Sequence, residues 1–202
     1  MFKHNLLIIF RNLKRSKSSL FINLAGLASA IACVLFIYLW VNDEVKIDRF
    51  LVKKGQIYQI MKNNSTEHGI ETDEDVPGLL AKTLIDEFPE VEKSVGVFPP
   101  AAYTFNGVIS INEDNLKAKW KFAGKEFFNI FPYQLMYGSK DNVLNDKNAV
   151  VISDLLAKNL FKTVDNAVGK SVDWNGEMVK GRFYIAGIFK SPPENATVQF
   201  DI

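Results

Sequence analysis

Ser18-Ser19-Leu20-Phe21-Ile22-Asn23-Leu24-Ala25-Gly26-Leu27-Ala28-Ser29-Ala30-Ile31-Ala32-Cys33-Val34-Leu35-Phe36-Ile37-Tyr38-Leu39-Trp40-Val41-Asn42 runs without a charged side chain. About 20 mostly apolar residues let a helix cross the hydrocarbon core of a bilayer. The flanks are unequal. Lys3, Arg11, Lys14, Arg15 and Lys17 precede the run with no acidic residue among them, whereas Asp43, Glu44 and Asp48 follow it. The basic flank of a span stays in the cytoplasm. The run therefore predicts three parts: a cytoplasmic basic segment at 1–17, a transmembrane helix at 18–42, and an extracytoplasmic domain at 43–202.

Charge and cysteine content narrow the outer domain. The chain has 24 basic and 23 acidic residues, but every acidic one lies from Asp43 onward, which leaves that domain mildly acidic. Nucleic-acid binding calls for a basic patch, and none is offered. The single cysteine, Cys33, sits inside the apolar run. The outer domain thus has neither a disulfide nor a cysteine-ligated metal site, and it is long enough to bury a core without them.

Ala28-Ser29-Ala30 and Ala30-Ile31-Ala32 look like signal-peptide cleavage sites, and Ala30-Ile31-Ala32-Cys33 resembles a poor lipoprotein box. Against cleavage, the apolar run continues through Val34 to Val41, with Tyr38 and Trp40 where an interfacial aromatic belt falls. The reading is an uncleaved span. Gly26 with Ala30, Ala28 with Ala32, and Ala25 with Ser29 repeat at four-residue spacing. Small residues so spaced let helices approach closely in lipid, although they are also simply common in spans. Before the run, Phe2, Leu6, Ile9, Phe10 and Leu13 share one helical face, with Arg11 and Arg15 largely opposite, as in a helix lying in the membrane interface. The chain stops in Val198-Gln199-Phe200-Asp201-Ile202, an alternation that looks like a strand begun and not finished, and so reads as a fragment.

The outer domain reads as α+β. Strands are expected at 57–61, 108–111, 116–122, 149–152, 171–174 and 179–189. Helices are expected at 79–88, with Leu80, Leu84 and Phe88 on one face, at 127–131, and at 155–161 capped by Ser153-Asp154. The polar stretch 63–69 reads as a loop. Asp73-Glu74-Asp75 lacks the spacing and glycine of a calcium loop, so helix capping is the expected role.

Chemistry is sparse. Gly169-Lys170-Ser171 lacks the upstream glycine of a phosphate-binding loop, position 164 being Val, and it leads into a strand. His4 and His68 fall on opposite sides of the membrane, so no histidine pair is available. Nothing reaches the standard of a catalytic site, and no cofactor or metal is implied.

One resemblance covers nearly the whole chain. Phe10-Arg11-Asn12-Leu13-Lys14-Arg15, Phe21-Ile22-Asn23-Leu24-Ala25-Gly26-Leu27-Ala28, Asn42-Asp43-Glu44 and Asp48-Arg49-Phe50 open it. Ile57-Tyr58, Phe88-Pro89-Glu90-Val91, Phe127-Phe128, Val151-Ile152-Ser153, Leu156-Ala157, Leu160-Phe161, Val168-Gly169-Lys170, Pro193-Glu194-Asn195 and Phe200-Asp201 continue it. In order and spacing these resemble the MacB/FtsX-like permease subunits of bacterial ABC transporters. The resemblance implies a MacB-like periplasmic core domain after the first span, with further spans beyond it, in a bacterial inner-membrane permease with a cytoplasmic N-terminus. It implies a permease dimer, a cytoplasmic ABC ATPase partner and a possible periplasmic partner. Export or mechanotransmission would be driven by ATP hydrolysis in the partner. Arg11, Lys14 and Arg15 would anchor or couple on the cytoplasmic side, or else merely set topology. Gly26, Ala30 and Ala32 would pack helices. The lipoprotein-box likeness is a departure, and no substrate-defining residue carries over. Two other readings stay open: a single-span extracytoplasmic ligand sensor, and an anchored lipoprotein or enzyme.

Overall fold

A computed structural model describes residues 17–51, 54–100, 103–112 and 114–202. The expected interfacial helix at the N-terminus, with Arg11, Lys14 and Arg15, lies outside the described residues. The chain divides into two compact units, Met1–Ile47 and Asp48–Ile202.

The first unit contains helix α1 (Lys17–Glu44), 28 residues long and without a buried residue. At about 1.5 Å per residue it extends ~42 Å, more than the ~30 Å hydrocarbon core requires. Phe21, Leu24, Leu27, Ile31, Val34, Phe36 and Trp40 stand exposed around it. A helix apolar on every side belongs in a protein core or in lipid. Its end charges oppose the helix dipole: Lys17 occupies the first turn and Asp43 and Glu44 the last. In water that arrangement is unfavourable. It is the order that the positive-inside rule favours.

The second unit is built on a six-stranded sheet. In chain order its elements are a 3-10 turn (Lys54–Gln56), β1 (Lys62–Thr66), β2 (Gly69–Asp73), α2 (Leu80–Glu87), β3 (Val97–Phe98), β4 (Phe105–Ile111), β5 (Asp114–Trp120) and β6 (Phe122–Ala123). Then follow α3 (Phe127–Ile130), β7 (Leu135–Tyr137), β8 (Ala149–Ser153), α4 (Asp154–Phe161), β9 (Ser171–Gly176) and β10 (Lys180–Phe189). The sheet runs β5-β4-β9-β10-β7, with β8 also on β10. β10 is the organising strand. Its first half pairs antiparallel with β9 (Tyr184↔Ser171), and its second half pairs parallel with β8 (Ile188↔Ile152). Two small ladders, β1-β2 and β3-β6, stand apart from this sheet.

Side-chain alternation assigns each face. β9 alternates strictly, with Val172 and Trp174 buried and Asp173 and Asn175 exposed, so one face meets the core and the other meets water. β8 is apolar from Ala149 to Ile152 and buried from Val150 to Ser153, the pattern of a strand covered on both faces. Val150 and Ile152 enter a core with Ile109, Trp120, Leu156 and Leu160. Val151 turns to a second core of Phe127, Phe128, Tyr133, Phe189 and Phe200. α4 starts where Ser153 Oγ accepts from Leu156 N at 3.2 Å, and it ends at Lys162 with a left-handed φ of 66°. Both are expected of helix ends.

Most expected elements form, and five expectations need correction. Residues 57–61 make no strand, and Tyr58, Ile60 and Met61 are exposed. The polar stretch beyond is instead the β1-β2 hairpin, paired from Lys62↔Asp73 to Thr66↔Gly69 around a two-residue turn. Its strands bury nothing, so they carry no apolar alternation to betray them. Asp73-Glu74-Asp75 caps no helix: the cap position of α2 is Leu79, with no side-chain bond, and Asp73 Oδ1 accepts from Asp75 N at 3.0 Å. Pro77 and Gly78 hold the carboxylates too far upstream. Phe88, expected on the inner face of α2 with Leu80 and Leu84, is half exposed. The alternating stretch 198–202 is not a ladder strand. It bridges β5 and β8, with Asp201 N donating to Lys119 O at 2.9 Å and Ser153 N to Asp201 O at 2.7 Å.

Candidate functional site

Two regions are candidates for a functional site, one in each unit. On α1, about 100° of rotation per residue puts Gly26 and Ala30 within ~40° of one another. Ala32 falls ~120° from Gly26, beside Ala28. The helix thus brings two of the three expected packing residues onto one line and sets the third on the far side, ~160° from Ala30. Gly26 has open space around it, and Ser29 Oγ donates to Gly26 O at 3.0 Å.

In the second unit, an open groove of about 580 Å³ lies between the end of β2 and the loop after β3. Asp73, Glu74 and Asp75 line one side, and Phe98, Pro99, Pro100, Tyr103 and Phe105 the other. Phe98-Pro99 is a cis peptide bond. Lys121, between β5 and β6, supports this loop: its Nζ donates to Pro99 O at 3.0 Å and to Tyr103 O at 2.8 Å. Burial lowers the lysine to about 8, from an ordinary 10.5. Sequence reading misses Lys121, because a lysine between Trp120 and Phe122 is half-buried only through a loop some twenty residues upstream. The one hint is its place inside an aromatic run.

The groove sets carboxylates opposite an aromatic and proline surface. No group of three His, Cys, Asp or Glu side chains that could hold a metal occurs among the described residues. His68 sits in the β1-β2 turn, its N–H donating to Thr66 Oγ1. The carboxylates of Asp48, Asp154 and Asp173 are all engaged, with Thr197, with Ser191 and Lys158, and with Arg182 respectively. Tyr133, in the aromatic core, is pushed up to about 12 by burial and then by the charge of Asp48.

Comparison with known proteins places this architecture. Residues 20–201 match the family model described as MacB-like periplasmic core domain. Among solved structures, a domain assigned to a permease protein of Porphyromonas gingivalis is 22% identical with a TM-score of 0.52, covering 70% of this chain and 60% of that one. The periplasmic region of MacB from Actinobacillus actinomycetemcomitans is 21% identical with a TM-score of 0.40, over 60% of this chain and 52% of that one. The extracellular domain of the ABC-type transporter YknZ from Gram-positive bacteria is 20% identical with a TM-score of 0.35, over 43% and 46% respectively. The chain therefore spans 60% or less of the length of each of these structures. Only the first of the three supports the fold. No curated protein matches significantly. With the family match running from inside α1 to Asp201, across both cores and the bridging segment, the chain belongs to the MacB-like periplasmic core domain family.

Proposed function

We propose that this chain belongs to the permease component of an ABC-type transporter in a bacterial inner membrane. The observation that carries the reading is the family match from residue 20 to 201, which takes in an apolar helix and the domain joined directly to it. Residues 1–17 lie in the cytoplasm, 18–42 cross the bilayer, and 43–202 form the extracytoplasmic domain. The reversed charges at the ends of α1 support that orientation. ATP is hydrolysed by a partner subunit. Its motion is carried through α1 to the outer domain, for export or mechanotransmission.

In this reading Arg11, Lys14 and Arg15 meet the ATPase or anchor beside it. Gly26, Ala30 and Ala32 let α1 pack against further helices or a second permease copy. The groove beside Tyr103 is available to a periplasmic partner. The test is recovery of the full chain from native membranes. An ABC ATPase is expected to accompany it and to be lost when Arg11, Lys14 and Arg15 are all replaced by Ala. If no ATPase accompanies the unaltered protein, the reading falls. Orientation is checked with Met178→Cys in a Cys33→Ser background. A membrane-impermeant maleimide is expected to label it from outside the cell membrane, and protection from outside overturns the topology.

A further inference from the structure

Asp48, the first residue of the second unit, has φ 54°. Left-handed backbone is uncommon for a non-glycine residue and needs outside support. The support comes from far along the chain. Asp48 N donates to Asn195 O at 3.2 Å. In return its carboxylate accepts from Thr197 N at 2.9 Å and from Thr197 Oγ1 at 2.6 Å. Both carboxylate oxygens are used, on a residue 149 positions away. On the other side of Asp48, Leu51 N donates to Asp48 O at 3.1 Å, and the Phe50 ring lies 5.5 Å from that of Tyr133.

The segment beyond Thr197 leads straight into the core. Val198 packs on the aromatic cluster, and the Phe200 ring stacks on Phe189 at 5.0 Å. Asp201 and Ile202 then bridge two strands that lie apart in the sheet order. Lys119 N donates to Asp201 Oδ2 at 2.9 Å and Lys121 N to Ile202 O at 2.9 Å on the β5 side, while Ser153 N donates to Asp201 O on the β8 side. Residues 195–202 therefore form a strap, fastened to Asp48 at one end and to the sheet at the other.

We propose that the three bonds between Asp48 and Asn195-Thr197 are a clasp that makes the segment after α1 and the strap 195–202 move as one, delivering displacement at residue 48 to β5 and β8. Asp48 is a positioning residue in this arrangement. The proposal deepens the permease reading and takes its purpose from it. The clasp itself is tested with no ATPase present, so either can fail without the other.

The experiment is amide hydrogen exchange on the full chain in detergent micelles. Asp48→Ala is expected to speed exchange at Thr197, Asp201, Ile202, Lys119 and Ser153 by about 10-fold or more. The β9-β10 ladder, read at Phe183 and Val172, is expected to stay within about twofold. Thr197→Val, which removes only the Oγ1 donor, is expected to give about threefold at the same sites, and Thr197→Ser to match the unaltered protein. If Asp48→Ala does not fold, the Val and Ser pair carries the test alone. Exchange at the strap unchanged within twofold in folded Asp48→Ala and Thr197→Val overturns the clasp. So does acceleration of strap and ladder together, because the bonds would then serve only global stability.

Discussion

Burial alone would push the Asp154 carboxyl up, but hydrogen bonds from Lys158, Ser191 N and Ser191 Oγ, with the Lys158 charge, outweigh it and bring the group to about 2. An unfolded aspartate titrates near 3.8. A depressed folded value means stability present above about pH 4 and lost as pH falls toward 2. At 1.36 kcal/mol per unit this amounts to about 2 kcal/mol. Asp154→Asn is expected to cost about that much in urea titrations at pH 7 and almost nothing near pH 2. An equal cost at both would show that charge is not what holds Ser191. Lys121 shifts in the same direction for a different reason, burial of its charge. Its folded value of about 8 lies below the unfolded 10.5, so the fold sheds its proton first and stability rises between those values. Tyr133, raised to about 12, works against this above pH 10. The gain in melting temperature from pH 8 to 10 is expected to disappear in Lys121→Met. At this scale the sequence shows what is local. Ser153 is legible as a cap because an apolar helical pattern begins right after it. Lys121 and Asp48 are not, because what they touch is distant in the chain.

Elements follow the same division. β8, β9, β10, α3 and α4 are legible because each buries a face, and burial writes a period into the sequence. The β1-β2 hairpin is not, since Asn, Ser and Thr pair through backbone with every side chain near water. Trp174 shows what close packing adds to pattern. Its ring lies over the paired glycines of β4 and β9, and a Cβ at Gly107 would stand 2.2 Å from Trp174 Cζ2 and one at Gly176 2.6 Å from Nε1. Gly107→Ala must therefore move the indole and is expected to cost about 1–3 kcal/mol. Trp174→Phe in the same chain is expected to recover part of that loss, as read by chemical denaturation. Strictly additive costs would show that the crowding lies elsewhere. Ser153→Ala is expected to cost about 1 kcal/mol through the lost cap on α4.

For the molecule as a whole, the family is legible in the sequence, because the resemblance rests on many short stretches rather than one motif. What α1 packs against is not, since its small residues suit any close neighbour. If that neighbour is a second copy, Gly26→Leu with Ala30→Leu is expected to weaken self-association in detergent by about 10-fold or more, with the outer domain's melting temperature unchanged. An unaltered monomer–dimer equilibrium would assign the face to other helices. The bridging segment has a consequence in time. Phe200 and Ile202 are buried at 6% exposure, yet they are made after every strand they cover. A nascent domain can pair β9 with β10 and seat α4, but its aromatic cluster stays uncovered until residues 198–202 follow. During that interval the half-built domain is a sticky body, and a chain halted at residue 197 is expected to be cleaved by protease faster than one that reaches Ile202.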